Sequence, residues 1–388
     1  MILDYVIIGF ASYLVLASLQ QMFSMLLLIK ERKLYKNLKE KGNSVICIPL
    51  YKEKHLDNLV KFWDFNAKKY RIKVYFVTTR KEKVRSTHRK LKTLLKYHNN
   101  KYLSLKEYPY KTGFKWDQIN YIAEFLSKET YVLMLDADSR PEKGLLNLIA
   151  NKCFKDSRIY QFPSKYTLNM SELSPSCKYE AIRQSAWSFG TEYFFLKNTR
   201  RIISKLYFPY VVGHGLLMKV GIMGNFYKPI RDLPVEDFAV GYMAMDTGEK
   251  IISMPFFDVA KFVDSPKKYI EQSAIWFRYS LFYLNLIKNK FKTFPVMLRS
   301  LFWATRGPFW AILTAISLIQ SRLNLLLVLT ISFIFYQMMT SILYCLIFER
   351  KNTTIALNPI FALESFILRS IGPLKSIIQK PSYKKTNY

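Results

Sequence analysis

Carboxylates are scarce in this chain: its 388 residues hold 28 Asp and Glu against 59 Lys and Arg, for a formal net charge of +31. Cysteine is scarcer still. Cys47, Cys153, Cys177 and Cys345 show no paired or metal-ligand spacing, which argues against a disulfide framework and for reduced, structural thiols. Only four histidines occur; His55, His88 and His98 fall on surface positions of predicted helices. His214 sits between two glycines, where a lone histidine reads as a structural hydrogen-bonding residue with no metal assigned. Internal repeats are lacking. A basic excess in a soluble protein suggests nucleic acid, but half of these residues are hydrophobic and their distribution points elsewhere. No nucleic-acid partner is expected.

Apolar content is concentrated in long runs. Residues 5–29 are 25 consecutive uncharged positions, about 37 Å as a helix and enough to cross a bilayer. A signal peptide fits poorly, since the preceding Met-Ile-Leu-Asp carries no basic residue and the run is too long. Residues 323–348 give a second uncharged run of 26 positions. A third, 307–321, is bracketed by Arg306 and Arg322 and reaches membrane thickness if extended back to Leu301 with Arg306 snorkelling. Residues 291–305, carrying Lys292 and Arg299, have the pattern of an amphipathic surface helix. Lys30, Arg32, Lys33, Lys36, Lys39 and Lys41 follow the first run and place the middle of the chain on the cytoplasmic side; Arg350 and Lys351 agree. The expectation is a multi-pass inner-membrane protein in contact with membrane lipids.

Between the runs, apolar strands alternate with amphipathic helices, which predicts an α/β domain with a largely parallel sheet. Strands are expected at 45–50, 73–78, 131–135, 159–166, 207–212 and 251–256, and helices at 55–70, 81–98, 116–128 and 238–246. The basic face of the 81–98 helix reads as solvated, with contact to anionic lipid a further use for it.

Tyr131-Val-Leu-Met-Leu-Asp-Ala-Asp138 is a buried strand ending in two carboxylates. Residues two apart face the same side of a strand, so Asp136 and Asp138 suit one hard divalent ion, Mg²⁺ or Mn²⁺, carrying a diphosphate. The bland reading is a solvated Asp-rich turn. Pro49-Leu-Tyr-Lys-Glu53 and Gly213-His-Gly215 close two other predicted strands, where open α/β sheets bind ligands. Glu236 and Asp237 precede a helix, where acids ordinarily act as caps.

Taken in order, Ile48-Pro-Leu-Tyr-Lys-Glu53, Gly113-Phe-Lys-Trp-Asp-Gln-Ile-Asn-Tyr121, Asp136-Ala-Asp138, Gly213-His-Gly-Leu-Leu-Met-Lys219, Val235-Glu-Asp237 and Gln272-Ser-Ala-Ile-Trp276 form a series. The series resembles the membrane-anchored family-two glycosyltransferases with the GT-A fold. That resemblance implies a nucleotide-sugar donor, a UDP-sugar foremost, and a lipid-linked or glycan acceptor. It places Pro49, Tyr51 and Glu53 at the nucleoside, Lys115 near it or the phosphates, and Asp136 and Asp138 on the metal and diphosphate. Asp237 becomes the general base, Glu236 shapes the loop or binds the donor sugar, and Gln272 and Trp276 close the site. Two departures stand out: Ile275 replaces the arginine of the family's Q-x-x-R-W, and Thr78-Thr-Arg80 lacks the aspartate that many relatives carry there.

The implied activity is inverting transfer of a sugar during synthesis of a cell-surface glycan: capsule, O-antigen, exopolysaccharide or glycolipid. A processive synthase of the hyaluronan, chitin or cellulose type is the alternative, weakened by Ile275. A non-catalytic basic membrane-tethered binding protein is the remote one. The expected organisation is an anchor at 1–30, a basic linker at 31–43 and the glycosyltransferase domain at 44–280. An interfacial segment at 281–305, a membrane hairpin at 306–348, and interfacial helices with a basic tail at 349–388 complete it.

Overall fold

The computed structural model describes residues 2–35, 40–82, 84–110, 114–154, 159–197, 211–230, 235–289, 291 and 293–379, with the side chains of 197 and 227–230 left out. Gly113, Lys36, Lys39, Lys292, the tail 380–388 and most of the expected 207–212 strand lie outside the described residues; Val211 and Val212 are not in a strand.

Among the described residues seven strands form the main sheet in the order β3-β2-β1-β4-β8-β6-β9. They are β1 (Ser44–Pro49), β2 (Val74–Thr79), β3 (Leu103–Tyr108), β4 (Tyr131–Met134), β6 (Ile159–Gln161), β8 (Leu216–Lys219) and β9 (Ile251–Ser253). β1 pairs in parallel with β2 and β4, β2 with β3, and β6 with β9; β8 runs antiparallel to both β4 and β6. The sheet is therefore mixed and mostly parallel.

Every residue of β2 and β4 is buried, as a central strand covered on both faces requires. The strand period of two then sorts the layers. Ile46, Ile48 and Phe76 pack with Leu59, Val60 and Trp63 of the helix Leu56–Tyr70 and with Leu145 and Leu148 of the helix Lys143–Asn151. Cys47, Val77 and Met134 face the opposite layer, with Trp116, Ile119 and Ile122 of the helix Lys115–Ala123. Each fully buried Leu or Ile contributes roughly 1.5–3 kcal/mol of transfer free energy.

A second sheet orders β5 (Arg140–Pro141), β10 (Asp258–Ala260) and β7 (Ser164–Tyr166). The apolar run 159–166 is thus two strands in two sheets, not one. The chain leaves the main sheet at Phe162-Pro163, where Pro163 has no N–H for a ladder and Phe162 N–H bonds Gly215 O at 2.7 Å. Other expected elements are shorter than predicted. The 81–98 helix runs Ser86–His98, the 116–128 helix ends at Ala123, and the 251–256 strand ends at Ser253.

Among the described residues three helices are long and apolar enough to cross a membrane: Ile2–Tyr35, Thr293–Ile319 and Leu323–Phe348. A bent pair, Arg350–Ala356 and Pro359–Ile378, meets at 80° and counts as a fourth if it is one span. The helix Thr293–Ile319 runs unbroken past 305/306, where the sequence pattern suggested a change from surface segment to span. Arg306 is tolerated there because it is buried in the protein and donates to Tyr336 Oη at 2.6 Å.

Candidate active site

The register of the parallel strands decides what gathers at their C-terminal ends. Cys47 pairs with Met134, the last residue of β4, and β1 runs two residues further, to Pro49. β4 stops at Met134, and Asp136 and Asp138 leave its end on the next turn. That turn is tied down by Ser139, whose Oγ accepts from Asp136 N–H at 3.2 Å and donates to Asp258 Oδ2 at 2.6 Å.

Lys115 opens its helix beside this end. The preceding residue anchors it, since Phe114 N–H donates to Asp117 Oδ2 at 2.6 Å in the manner of a capping box. The Lys115 ammonium donates to Asp136 Oδ1 and to the Gly213 carbonyl. Burial works against its charge, but Asp136, Glu236 and Asp237 outweigh that and hold its pKa above the usual lysine value.

Gly213 brings the backbone close to both groups: a Cβ there would stand at ordinary contact distance, 3.5 Å, from Asp237 Oδ2 and from Lys115 Nζ. Its N–H donates to Asp237 Oδ2 at 3.2 Å. Gly215 has φ +68°, and a Cβ there would lie 2.9 Å from Phe162 O, so glycine is needed on both counts. Buried Gln161 fastens the turn between them, accepting from Val212 N–H at 2.9 Å and donating to His214 O at 3.2 Å.

Glu236 and Asp237 begin the helix Glu236–Thr247. Val235, just before them, has φ +55°, a left-handed conformation that a β-branched residue adopts only under constraint. Asp237 Oδ1 accepts from Phe238 N–H at 3.0 Å, a capping contact, while Oδ2 turns to Gly213. Burial pushes its pKa up to about 6, against the opposing pull of Lys115 and these N–H groups. Asp138 is also raised to about 6, by burial and then by the charge of Asp136.

Lys115, Asp136, Asp138, Gly213, Glu236 and Asp237, all singled out in the sequence, therefore meet at one end of the sheet. Lys81 links Tyr51 to the residue before Lys115: its Nζ lies 6.0 Å from the Tyr51 ring and 4.5 Å from the ring of Phe114. Glu53 accepts from His55 N–H at 3.1 Å and stands close enough for its charge to act on Arg140. Gln272 and Trp276 are half-buried on the helix Pro266–Phe282, and among the described residues no hydrogen bond joins either to the acidic group.

Two neighbours were not foreseen. Asp258 of β10 is fully buried and its Oδ2 pairs with His214 Nδ1 at 2.8 Å. Burial alone would lower the His214 pKa, but Asp258 and then Asp136 outweigh it and raise it. Arg140 donates to the carbonyls of Ala137 and Ser139 at 3.0 and 2.7 Å, bracing the Asp138 turn. Asp258 follows a Phe-Phe pair in a short strand, with no pattern to mark it, whereas His214 stood out by its glycine setting.

Among the described residues no three His, Cys, Asp or Glu side chains form a metal cage. A carboxylate pair in which the charge of Asp136 raises the proton affinity of Asp138 suits instead a divalent ion that takes its remaining ligands from phosphate and water, as Mg²⁺ does.

No protein-family model matches the sequence, and no curated protein matches it. Among solved structures the chain is similar to the mannosyltransferase PcManGT from Pyrobaculum calidifontis, in complex with GDP-Man and Mn²⁺. The identity is 12% and the TM-score 0.48, over 96% of this chain and 99% of that one.

Proposed function

We propose that this chain is a membrane-anchored, metal-dependent inverting glycosyltransferase of the GT-A type, acting from a cytoplasmic domain at residues 44–280. The observation that carries the reading is the junction of Asp136 and Asp138 with Asp237 across Lys115 and the Gly213 turn.

Each residue has a task the chemistry requires. Asp136 and Asp138 would hold Mg²⁺ or Mn²⁺, and such an ion would supply positive charge to the departing diphosphate. Lys115 adds a fixed cation beside them, and Pro49, Tyr51 and Glu53 form the nucleoside side. Asp237, half-buried and raised to about 6, is ionised at neutral pH yet retains proton affinity, as a general base should. It takes the proton of the acceptor hydroxyl while that oxygen bonds the anomeric carbon and the bond to the diphosphate oxygen breaks. One displacement inverts that carbon. Glu236, whose charge acts on Lys115, shapes the loop or binds the donor sugar, and Gln272 and Trp276 close the site beside the membrane helices.

A membrane-proximal acceptor, a lipid-linked sugar or glycan, is supported by Val296 of the helix Thr293–Ile319, which packs in one cluster with Trp116 and Met134. Single addition is favoured over processive synthesis by Ile275, which stands where polymerases carry a diphosphate-binding arginine. The test is donor hydrolysis by purified protein over a panel of nucleotide sugars with each divalent ion, followed by transfer to labelled membranes. A single-sugar lipid product is expected. A polymer ladder would replace this reading by the processive one, and nucleotide binding indifferent to both ions would remove the metal assignment.

A further inference from the structure

The helix Pro266–Phe282 is fastened to the helix that presents Asp237. Tyr242 of Glu236–Thr247 donates from Oη to Ser280 O at 2.5 Å. Asp246 Oδ1, on the same helix as Asp237, accepts from the N–H groups of Lys288 and Asn289 at 3.0 and 3.3 Å. Tyr283 and Ile287, just past the end of Pro266–Phe282, pack in one cluster with Val240, Tyr242 and Ala244. A shift of the helix Pro266–Phe282 therefore carries Glu236–Thr247 with it.

Its other neighbour is the helix Pro359–Ile378, and the two come closest at Gly372. A Cβ there would stand 1.9 Å from Ser273 Oγ, 2.7 Å from Ile270 O and 3.0 Å from Ala274 N. Gly372 lies inside a helix, so glycine is required here by closeness alone. Three residues earlier, on the same helix face, Arg369 donates from Nε to Glu180 Oε1 at 2.7 Å. Tyr269 of the facing helix donates from Oη to the same oxygen at 2.8 Å. A buried ion pair holds only in good geometry, so Glu180 pins both helices at this level. The helix Pro359–Ile378 has no slack behind it either: a Cβ on Gly307 of Thr293–Ile319 would stand 2.7 Å from Ser370 Oγ and 3.0 Å from Phe366 O.

Two of the three atoms that a side chain at Gly372 would meet belong to the backbone, and no rotamer change moves them. Restoring an ordinary C–H···O separation of about 3.3 Å at Ile270 O takes a displacement of about 0.6 Å. Close-packed interiors transmit such a shift instead of absorbing it. At a reacting group its effect is large, since a misplacement of about 1 Å costs on the order of a hundredfold in rate. Asp136, Asp138 and Lys115 stand on other elements, β4 with its turn and the helix Lys115–Ala123, so the shift falls on Asp237.

We propose that Gly372 is a positioning residue for sugar transfer: its missing side chain sets the seat of the helix Pro266–Phe282 and, through Tyr242 and Asp246, the place of Asp237 against the donor. The inference rests on the reading of Asp237 as the general base.

The full-length protein is purified into phosphatidylcholine bilayers and assayed with the nucleotide sugar that the wild type hydrolyses fastest. Binding of that donor's nucleoside diphosphate with Mn²⁺ is titrated alongside, and stability is read by thermal unfolding. Gly372→Ala is expected to lower kcat roughly ten- to hundredfold while nucleoside-diphosphate affinity stays unchanged. Phe366→Leu is the control for stability alone. It trims the same helix where Phe366 packs on Trp310 and Phe333, and should lower the melting temperature with kcat unchanged. Gly372→Ala combined with Ser273→Ala removes the 1.9 Å contact, is the safer variant for folding, and should recover part of the rate. A Gly372→Ala protein with wild-type kcat, or with a loss no greater than that of Phe366→Leu, would overturn the proposal. Should Gly372→Ala not fold, the double variant decides: wild-type kcat overturns the proposal, and reduced kcat with intact nucleotide binding supports it. A wild type that hydrolyses no donor would remove the proposed function and this inference with it, whereas an active wild type beside an indifferent Gly372→Ala removes only the role of Gly372.

Discussion

The Lys115 ammonium is held between the Asp136 carboxylate and the Gly213 carbonyl, bridging the end of β4 to the turn that also contacts Asp237. A fixed cation at this point couples the two halves of the proposed site. Replacing it by an apolar side chain of similar length leaves Asp136 and Asp138 facing each other without it. Lys115→Met is expected to weaken nucleoside-diphosphate binding about tenfold or more, as loss of a charge-assisted contact does. Calorimetric titration checks this, and unchanged affinity would remove Lys115 from the donor site.

The divalent ion is tested through the same titration. Asp136→Asn and Asp138→Asn are each expected to abolish the enhancement of nucleotide binding by Mn²⁺ or Mg²⁺, and chelation of the wild type should reproduce their loss. Activity should return when either ion is restored to wild type but not to the variants. Activity that survives exhaustive chelation would separate Asp136 and Asp138 from metal chemistry.

Asp237 predicts a pH dependence. Transfer needs its ionised form, so activity at saturating Mn²⁺ is expected to fall as pH drops through about 6; the ion keeps the Asp138 pair ionised and out of that limb. Asp237→Asn should lose roughly 10²–10⁴-fold in rate, the range for a positioned general base, while still binding nucleotide. Stability runs the other way. A carboxyl raised above the ordinary value of about 4 favours the fold most at low pH, and that contribution is lost as pH rises through about 6. Asp237→Asn cannot ionise, so above pH 6 it should melt no lower than wild type. A variant that is both inactive and strongly destabilised there would point to a structural role.

Much of this arrangement was legible in the residues. The strand that ends at Pro49 and the one that leads to Asp136 are continuous apolar runs ended by polar breaks, and burial on both faces is what such runs mean. β8 was harder. Leu216–Lys219 is a short strand joined directly to the helix Val220–Ile230, and its antiparallel place between β4 and β6 follows from long-range pairing. β3 is half-buried at the sheet edge, and its polar Ser104, Lys106 and Glu107 mask it. Asp258 was invisible for a third reason: its importance lies in partners that are over forty residues away, His214 and Ser139. Sequence proximity carries no trace of such a pairing.

Gly215 offers a test of the turn apart from any chemistry. Its φ of +68° and the 2.9 Å separation that an added Cβ would have from Phe162 O leave no room for a side chain. Gly215→Ala is expected to destabilise the chain by about 1–3 kcal/mol, the usual cost of a residue forced into such a region. Thermal unfolding measures it, and a neutral effect would mean that the turn relaxes freely.

Asp258 joins the second sheet to the turns beside the site. It is wholly buried, it accepts from Ser139 Oγ at 2.6 Å and pairs with His214 Nδ1 at 2.8 Å, and β10 seats it beside Pro141 and Ser164. Removing it leaves a buried imidazole and a hydroxyl without their acceptor, beside the turn that presents Asp136 and Asp138. Loss of one member of a buried pair typically costs about 3–5 kcal/mol, so Asp258→Ala should unfold at markedly lower temperature and bind nucleotide weakly. The double change Asp258→Ala with His214→Phe removes both partners of the pair and should recover part of the stability, because no unpaired imidazole remains. Recovery of stability without recovery of nucleotide affinity would show that the pair also serves the site. Additive losses in the double variant would mean that the His214–Asp258 contact contributes little to either.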